Sequence, residues 1–275
     1  MPWLIARYQP TSLFSLKHGD ATSTGGKSLL VPTPFAIRMA LLDAAIRTKG
    51  IGVGPQAFNL IKSLRLAIRL PSYAAVTSIF VRVLKPERPD SSGRRAGQES
   101  ATIQNVLEPE QEEGDGPNRG MIRTIAFREY VHLSGELTLA FGGENKTLLT
   151  IRPWLMQINY FGKRGSFYQL LASPEIVETE KDDIPVGFLS FPGHDLLSGV
   201  PPKSFPLGLI QRVDEWGESL RFEQANIYNR DRRASIKVGK ERIRADVILP
   251  YQMVRASRGM ALYKRFEVND KPEMT

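Results

Sequence analysis

Residues 21–46 read ATSTGGKSLLVPTPFAIRMALLDAAI, and two readings of this stretch compete. Its first eight residues fit a phosphate-cradling loop if Ala21 is allowed at the first position: a small residue, four of any kind, then Gly26-Lys27-Ser28. Such a loop needs a buried strand immediately before it and a helix opening at the Lys-Ser, so that backbone N–H groups and the helix dipole converge on phosphates. Here the preceding residues, Lys17-His18-Gly19-Asp20, are polar. Pro32 and Pro34 follow and keep a helix from starting at Lys27. The helix opens instead at Thr33-Pro34, an N-cap followed by proline at the first helical position. Phe35, Met39, Leu42 and Ile46 then recur at helical spacing, with Arg38, Asp43 and Arg47 away from the centre of that stripe and an end near Gly50. The nucleotide-hydrolase reading fails on this local context.

Working outward, residues 3–9 (WLIARYQ) read as a first strand, and residues 10–32 as a loop rich in Ser, Thr and Gly. After the helix come a short helical segment near 55–62 and strands over 64–70 and 74–84. Residues 85–120 are polar and rich in Pro and Gly. They are either a disordered linker or an excursion that orders on a partner. Residues 122–141 read as two strands joined near Ser134-Gly135. Pro153 is expected to start a short helix, WLMQINYF, that ends at Gly162. The C-terminal third holds β-like pieces: PVGFLSF, LRFEQANIY, SIKVG, RIRADVIL and MALYKRF. This order predicts an α+β fold, with a split βαβ arrangement of the ferredoxin-like kind in the first half and a strand-rich C-terminal part. The corresponding division is 1–84 and 121–275 as core, with 85–120 as a long inserted hairpin or loop.

Composition narrows the chemistry. The 275 residues include no cysteine and three histidines, which excludes disulfides and thiolate metal sites and predicts no metal. No apolar run approaches the length that spans a membrane, and the N-terminal apolar run is too short for a secretory signal. A cytoplasmic protein without membrane contact is expected. The net charge of +8 suits a polyanionic partner. It is unevenly spread: residues 85–119 carry five basic and eight acidic side chains, whereas Arg230 to Arg265 holds eleven basic and three acidic.

Two segments carry candidate phosphate contacts. The 10–32 loop presents Lys17, His18 and Lys27 beside a helix N-terminus; it is either a solvated surface loop or one that approaches a phosphate backbone. The turn Phe161-Gly162-Lys163-Arg164-Gly165-Ser166 offers Arg164 for bidentate and Lys163 for point-charge contact, or else it is a capping turn with exposed charges. Phe161, Phe167 and Tyr168 either stack on splayed bases or belong to the core. For metal-independent RNA cleavage the candidate sets are Lys17-His18 and Tyr130 with His132, which share a face of one strand. His194 is a further candidate that better suits a turn cap. No nucleophile elbow, zinc-protease motif or paired-carboxylate motif is present, and no cofactor is implied.

Two of these stretches together resemble a known family. LLVPTPFAIRMALLDAAI (29–46), with its strand and Gly/Ser-rich loop before it, and INYFGKRGSFYQ (158–169) are similar to the Cas five family, the RAMP-type subunit of type I CRISPR surveillance complexes (Cascade). The resemblance implies a ferredoxin-like, RRM-related core with an inserted thumb, for which residues 85–120 stand in the right place but lack the basic composition. It implies a ribonucleoprotein role in antiviral defence. The partners implied are the 5′ handle of the crRNA, the large subunit, the backbone subunit of the Cas seven family and, through the complex, target DNA. On this reading Lys17, His18, Lys27, Arg38, Lys163 and Arg164 bind RNA and no residue is catalytic. The alternative is an endoribonuclease that processes precursor crRNA, as one branch of the family does.

Overall fold

A computed structural model describes residues 1–19, 26–86, 121–180, 184–191, 208–228 and 235–266. Most of the 85–120 stretch expected as an insertion, His194, the middle of the 10–32 loop and the basic residues Arg230, Arg232 and Arg233 lie outside them.

The first strand, β1 (Pro2–Pro10), leads through two short strands, β2 (Leu16–Lys17) and β3 (Ser28–Leu29), into helix α1 (Pro34–Lys49). Helix α2 (Gly54–Ser63) and β4 (Arg65–Arg69) follow. Next come two fourteen-residue strands, β5 (Tyr73–Pro86) and β6 (Met121–Ser134), then β7 (Leu137–Gly142) and α3 (Asn145–Leu155). The remainder is β8 (Tyr168–Leu170), β9 (Glu175–Glu178), β10 (Leu189–Ser190), β11 (Leu209–Trp216), the single-turn α4 (Phe222–Ala225), β12 (Arg242–Leu249), β13 (Tyr251–Ser257) and β14 (Met260–Arg265).

The fold is mixed α+β with several antiparallel sheets. In the main sheet the order is β10-β4-β7-β1-β8, with β9 beside the first half of β1 where β8 flanks the second. The strand that follows α1 and α2 therefore does not pair with β1. It leaves a gap that β7 fills, antiparallel to both. The strands after α3 return to the free edge of β1. Two interleaved βαβ units of this kind are consistent with the ferredoxin-like order expected from the sequence. The helices cover one face, where Leu4, Ala6 and Tyr8 meet Ile37, Leu41, Leu148 and Ile151 in one continuous core. A smaller cluster of Trp3, Ala67, Ala140 and Phe188 closes the other face.

A second sheet, β13-β14-β5-β6, grows out of the β4–β7 connection. Its long ribbon stays in register from Tyr73↔Ser134 to Pro86↔Met121. The turn to β7 at Gly135 has φ 106°, as its Ser-Gly pair suggested.

Helix α1 starts where the sequence placed it. The Thr33 hydroxyl accepts from the Ala36 amide at 3.1 Å, and Gly50 (φ 82°) ends the helix by donating to the Ile46 carbonyl. Its buried face differs from the expected stripe. Ile37, Leu41, Ala44 and Ala45 are buried along with Leu42 and Ile46, while Phe35 and Met39 are only half-buried. The helix is wedged between the main sheet and β11, so it buries more than one face.

Three local expectations are corrected. Pro153 lies in the last turn of α3 and does not start a helix; the apolar face of Leu148, Ile151, Trp154 and Leu155 carries the helix through it. LRFEQANIY contributes the helical turn α4, not a strand, because Gln224 reaches back to the Arg221 amide and caps it. SIKVG makes a single bridge, Val238 to Arg242, while β11 and β13 arise where no strand was expected.

The largest correction is Arg38. Expected at an RNA surface, it sits in the interior with its side chain 5% exposed. Its Nε donates to Glu215 at 2.9 Å, and its two terminal nitrogens donate to the carbonyls of Ile61 (2.6 Å) and Leu64 (3.0 Å). Burial pushes the Glu215 carboxyl up, with Arg38 and the Trp216 amide pulling the other way. Removing one partner strands a buried charge, whereas removing both does not. We expect Arg38→Met to destabilise the protein by about 3–5 kcal/mol, and Arg38→Met with Glu215→Leu by markedly less, in denaturant unfolding. Additive losses in this double-mutant cycle would show that the pair is not the clamp described.

Candidate nucleic-acid interface

The two segments singled out for phosphate contact meet in space. Ser12 holds the first loop to the 161–166 turn: its hydroxyl donates to the Gly165 carbonyl (2.6 Å) and accepts from the Phe167 amide (2.7 Å). The Thr11 amide adds a bond to the Phe167 carbonyl at 3.0 Å. Gly162 (φ 74°) lets the turn pass against β2. A Cβ there would lie 2.6 Å from Leu16 Cδ2, below van der Waals contact.

The other end of the loop is fixed to the long ribbon. Phe14 bridges Val131 through two backbone hydrogen bonds, of 3.0 and 2.8 Å. The Ser28 amide donates to Glu129 Oε2 at 2.9 Å, and the Glu129 amide donates to the Gly26 carbonyl at 2.9 Å. A Cβ on Gly26 would fall 1.9 Å from the Phe127 carbonyl oxygen. The glycine of the Gly-Lys-Ser string is therefore there to let two backbones pass. It is not there to cradle a phosphate.

Between these anchors lies an open groove of about 470 Å³. Its floor is apolar, from Leu16, Leu29, Phe35, Met39, Leu42 and Ile46. Its rim carries Lys17 from β2, Arg164 from the turn, Arg242 from β12, Tyr160, and the carboxylates Asp43 and Asp214. Helix α1 forms one wall along its side, from Thr33 to Ile46. Asp43 is occupied by Arg47 at 2.8 Å. Asp214 is shared between Arg242 (2.9 Å) and Arg244 (3.3 Å), and the Arg242 guanidinium lies 4.5 Å above the Phe35 ring. An ion pair with the carboxylate and contact with an aromatic face hold that cation at the rim.

Of the residues expected to bind RNA, the structure brings Lys17 and Arg164 to one groove. Lys163 is exposed in the same turn. Lys27 is exposed and opposite His18, whose amide donates to the Lys27 carbonyl at 3.1 Å. The His18 side chain lies toward β12, close enough for its charge to help hold the Asp246 carboxyl low, chiefly an effect of the Arg212 hydrogen bond. Tyr130 and His132 do share a face, as the period of two requires. It is the outer face of the ribbon, while Glu129 and Val131, which hold the loop, are on the inner side. The two candidate cleavage pairs thus stand on different sides. Phe161 and Tyr168 are core residues, edge-on to each other at 4.9 Å, with Tyr8 packed edge-on against Phe161 at 5.2 Å. Phe167, half-exposed, is the aromatic of this turn left at the surface. Among the described residues no group of three His, Asp or Glu could hold a metal ion, and no helix is long and apolar enough to cross a membrane.

Sequence reasoning missed Arg242, Arg244 and Tyr160. The available signal for the first two was the density of cations between Arg230 and Arg265; only tertiary pairing shows which of them reach the groove.

No protein-family model matches the chain. In sequence it is Cas5-like over most of its length: the CRISPR-associated protein Cas5 of Archaeoglobus fulgidus is 22% identical over 230 residues, covering 83% of this chain and 86% of that one. Among solved structures, one described as a CRISPR protein from Archaeoglobus fulgidus covers 97% of this chain and 93% of its own at 15% identity, with a TM-score of 0.42. A chain of a CRISPR RNA-guided surveillance complex covers 78% of this chain and 76% of its own at 14% identity, with a TM-score of 0.35.

The Gly162 contact gives a direct check on how the groove is assembled. Gly162→Ala meets both an unfavourable positive φ, worth about 1–2 kcal/mol, and the Leu16 side chain. Gly165→Ala (φ 95°) meets open space and should cost only the backbone strain. Denaturant unfolding should rank Gly162→Ala as the more destabilised; the reverse order would mean that β2 does not pack against the turn.

Proposed function

We propose that this protein is an RNA-binding subunit of a CRISPR surveillance complex and that the groove beside α1 receives the RNA. The observation that carries this reading is the convergence of Lys17, Arg164 and Arg242 on one apolar-floored groove. These cations come from three separate parts of the chain. Similarity in sequence to a Cas5 protein over four-fifths of both chains supports the same role.

The chemistry suits a single strand. Arg164 lies in the exposed turn Gly162-Lys163-Arg164-Gly165, where its fork can meet a phosphate, and Lys17 adds a point charge across the groove. The apolar floor accepts a base or ribose, and Tyr160 at the rim offers a ring face and a hydroxyl. Asp43 and Asp214 are neutralised by their own arginines, so they do not repel the strand as bare charges would. Lys27, Lys163 and His18 lie beside the groove and extend the positive track.

In the fuller form of this reading the ligand is the 5′ handle of the crRNA, and the partners are the large subunit and a backbone subunit of the Cas seven family in a type I complex in the cytoplasm. Binding, not cleavage, is the activity. Of the two alternative candidate pairs for cleavage, Tyr130 with His132 stands on the other side of the ribbon from the groove, and Lys17 with His18 contacts the RNA by charge and hydrogen bonding.

The test is binding of a labelled 5′-handle RNA by Lys17→Ala with Arg164→Ala, measured across a salt series. Two lost phosphate contacts should flatten the plot of log affinity against log salt by about 1.4, at roughly 0.7 per contact with a single strand. Melting temperature should be retained, since both side chains are exposed. An unchanged slope removes the groove from the interface. Incubating the wild-type protein with repeat RNA in EDTA should leave the RNA intact; discrete fragments would establish the processing enzyme instead.

A further inference from the structure

The second sheet has an outer face that the groove does not use. Cross-strand partners project to the same side, so the register of β13, β14, β5 and β6 sorts their side chains into rows. One row runs Arg255, Leu262, Ala75, His132 across all four strands. The next is Ser257, Met260, Thr77, Tyr130, and on the other side lies Gln252, Lys264, Tyr73, Ser134. Arg128 continues the face one step further along β6, opposite Ile79. All of these residues are exposed or half-buried, whereas the alternate positions Ala74, Val76, Val131, Leu133 and Tyr251 are buried on the inner side.

The composition of this face is one-sided. It carries Arg128, Arg255, Lys264 and His132, and none of its rows contains an aspartate or glutamate, in a chain with 29 acidic residues. On β6 the acidic residue, Glu129, points to the inner side, where it holds Ser28. Tyr73 and Tyr130 are set on adjacent strands, four residues apart in register, about 14 Å from each other at 3.3–3.4 Å per residue and one strand spacing. A sheet face with cations distributed over it, tyrosines next to them in the rows and small residues such as Ala75 and Thr77 alongside matches what a flexible polyanion with planar bases needs. Phosphates meet the charges, and bases stack on the rings without a fixed sequence. A carboxylate-rich protein would use the cations but not the spaced rings.

We propose that the outer face of the β13-β14-β5-β6 sheet is a second nucleic-acid surface, binding a single strand through Arg128, Arg255 and Lys264 with bases on Tyr73 and Tyr130. It lies on the opposite side of the ribbon from the loop that builds the groove, so the two surfaces hold separate strands or separate segments. The proposal does not depend on the groove reading.

The experiment compares full-length wild type, Arg255→Glu with Lys264→Glu, and Lys17→Ala with Arg164→Ala. Fluorescence anisotropy reads the binding of labelled oligouridine RNA, oligothymidine DNA and, as an acidic-polypeptide control, polyglutamate in a salt series. Reversing the two outer charges should weaken binding of at least one oligonucleotide by tenfold or more and lower its salt slope by about 1.4. This should occur in a variant that melts like wild type, and whichever of RNA or DNA loses more identifies the strand. If the groove variant alone binds normally while the outer variant fails, the groove reading falls and this one stands. Unchanged affinity and slope in a folded outer variant overturn the proposal. So does loss of polyglutamate binding with oligonucleotide binding intact, which would assign the face to an acidic protein. Should the charge reversals unfold the chain, photocrosslinking wild type to 4-thiouridine or 4-thiothymidine oligonucleotides decides instead. Crosslinks on the peptides bearing Tyr73 or Tyr130 support the surface, and crosslinks confined to residues 158–169 and the first loop overturn it.

Discussion

The Arg38 guanidinium is the fixed point from which the site is built. A charge withdrawn from water is tolerable only when its donors are met, and Arg38 meets Glu215 on β11 and the two carbonyls, Ile61 and Leu64, at the end of α2. One side chain thereby joins α1, α2 and β11. The stacking of Phe58 on Trp216 at 4.7 Å closes the same junction from the apolar side. Because Asp214 is the neighbour of Glu215 and β12 is paired to β11, this junction also sets where Arg242 and Arg244 emerge. The wall of the groove and its cations thus depend on an ion pair buried beneath them.

The first loop shows a different way of making a site from weak parts. Its sequence, rich in Ser, Thr and Gly, has little side-chain surface to bury. Its described ends are nonetheless tied by hydrogen bonds to the turn after α3 and to β6. Each such bond contributes only about 1 kcal/mol net, but together they set the position of β2 and β3. Gly26 is needed at its position because a Cβ would strike the Phe127 backbone, and Gly162 because of its positive φ, with a Leu16 methyl close by. The exposed cations Lys17 and Lys163 then cost the fold little, because their heads stay in water while the backbone beneath them is held.

How much of this could be read in the sequence follows from which forces are local. The cap at Thr33-Pro34, the stop at Gly50, the strands over 64–84 and 122–141 and their turn at Gly135 are decided by neighbours in the chain, and they are where they were expected. Arg38 is the opposite case. At helical spacing it looked like a surface charge, because its partners are 23, 26 and 177 residues away. The same holds for Pro153, where tertiary burial of Leu148, Ile151 and Trp154 outweighs the local signal of a helix start. At the candidate site, the residue types of Lys17 and Arg164 were legible but their meeting was not; Ser12 joins them, and nothing in its local sequence marks it. Phe161 and Tyr168 show the limit of counting aromatics: both lie beside cations, yet burial against Tyr8 takes them out of reach.

Charge placement explains why one chain can carry two open cationic surfaces and stay folded. Cations paired one-to-one with carboxylates, such as Arg212 with Asp246 or Arg47 with Asp43, set local geometry and add little to the outward field. Arg242 and Arg244, by contrast, share the single carboxylate of Asp214 and keep a net positive charge at the rim. The net positive charge must then be felt where carboxylates are missing. That condition is met at the 162–165 turn and on the outer face of the second sheet. Between them the ribbon keeps its one strongly engaged acid, Glu129, turned inward to a backbone amide. A polyanion approaching from either side therefore meets cations whose repulsion is screened mostly by solvent. Binding of such a polyanion would release counterions at the surface and leave the internal pairs that define the fold undisturbed.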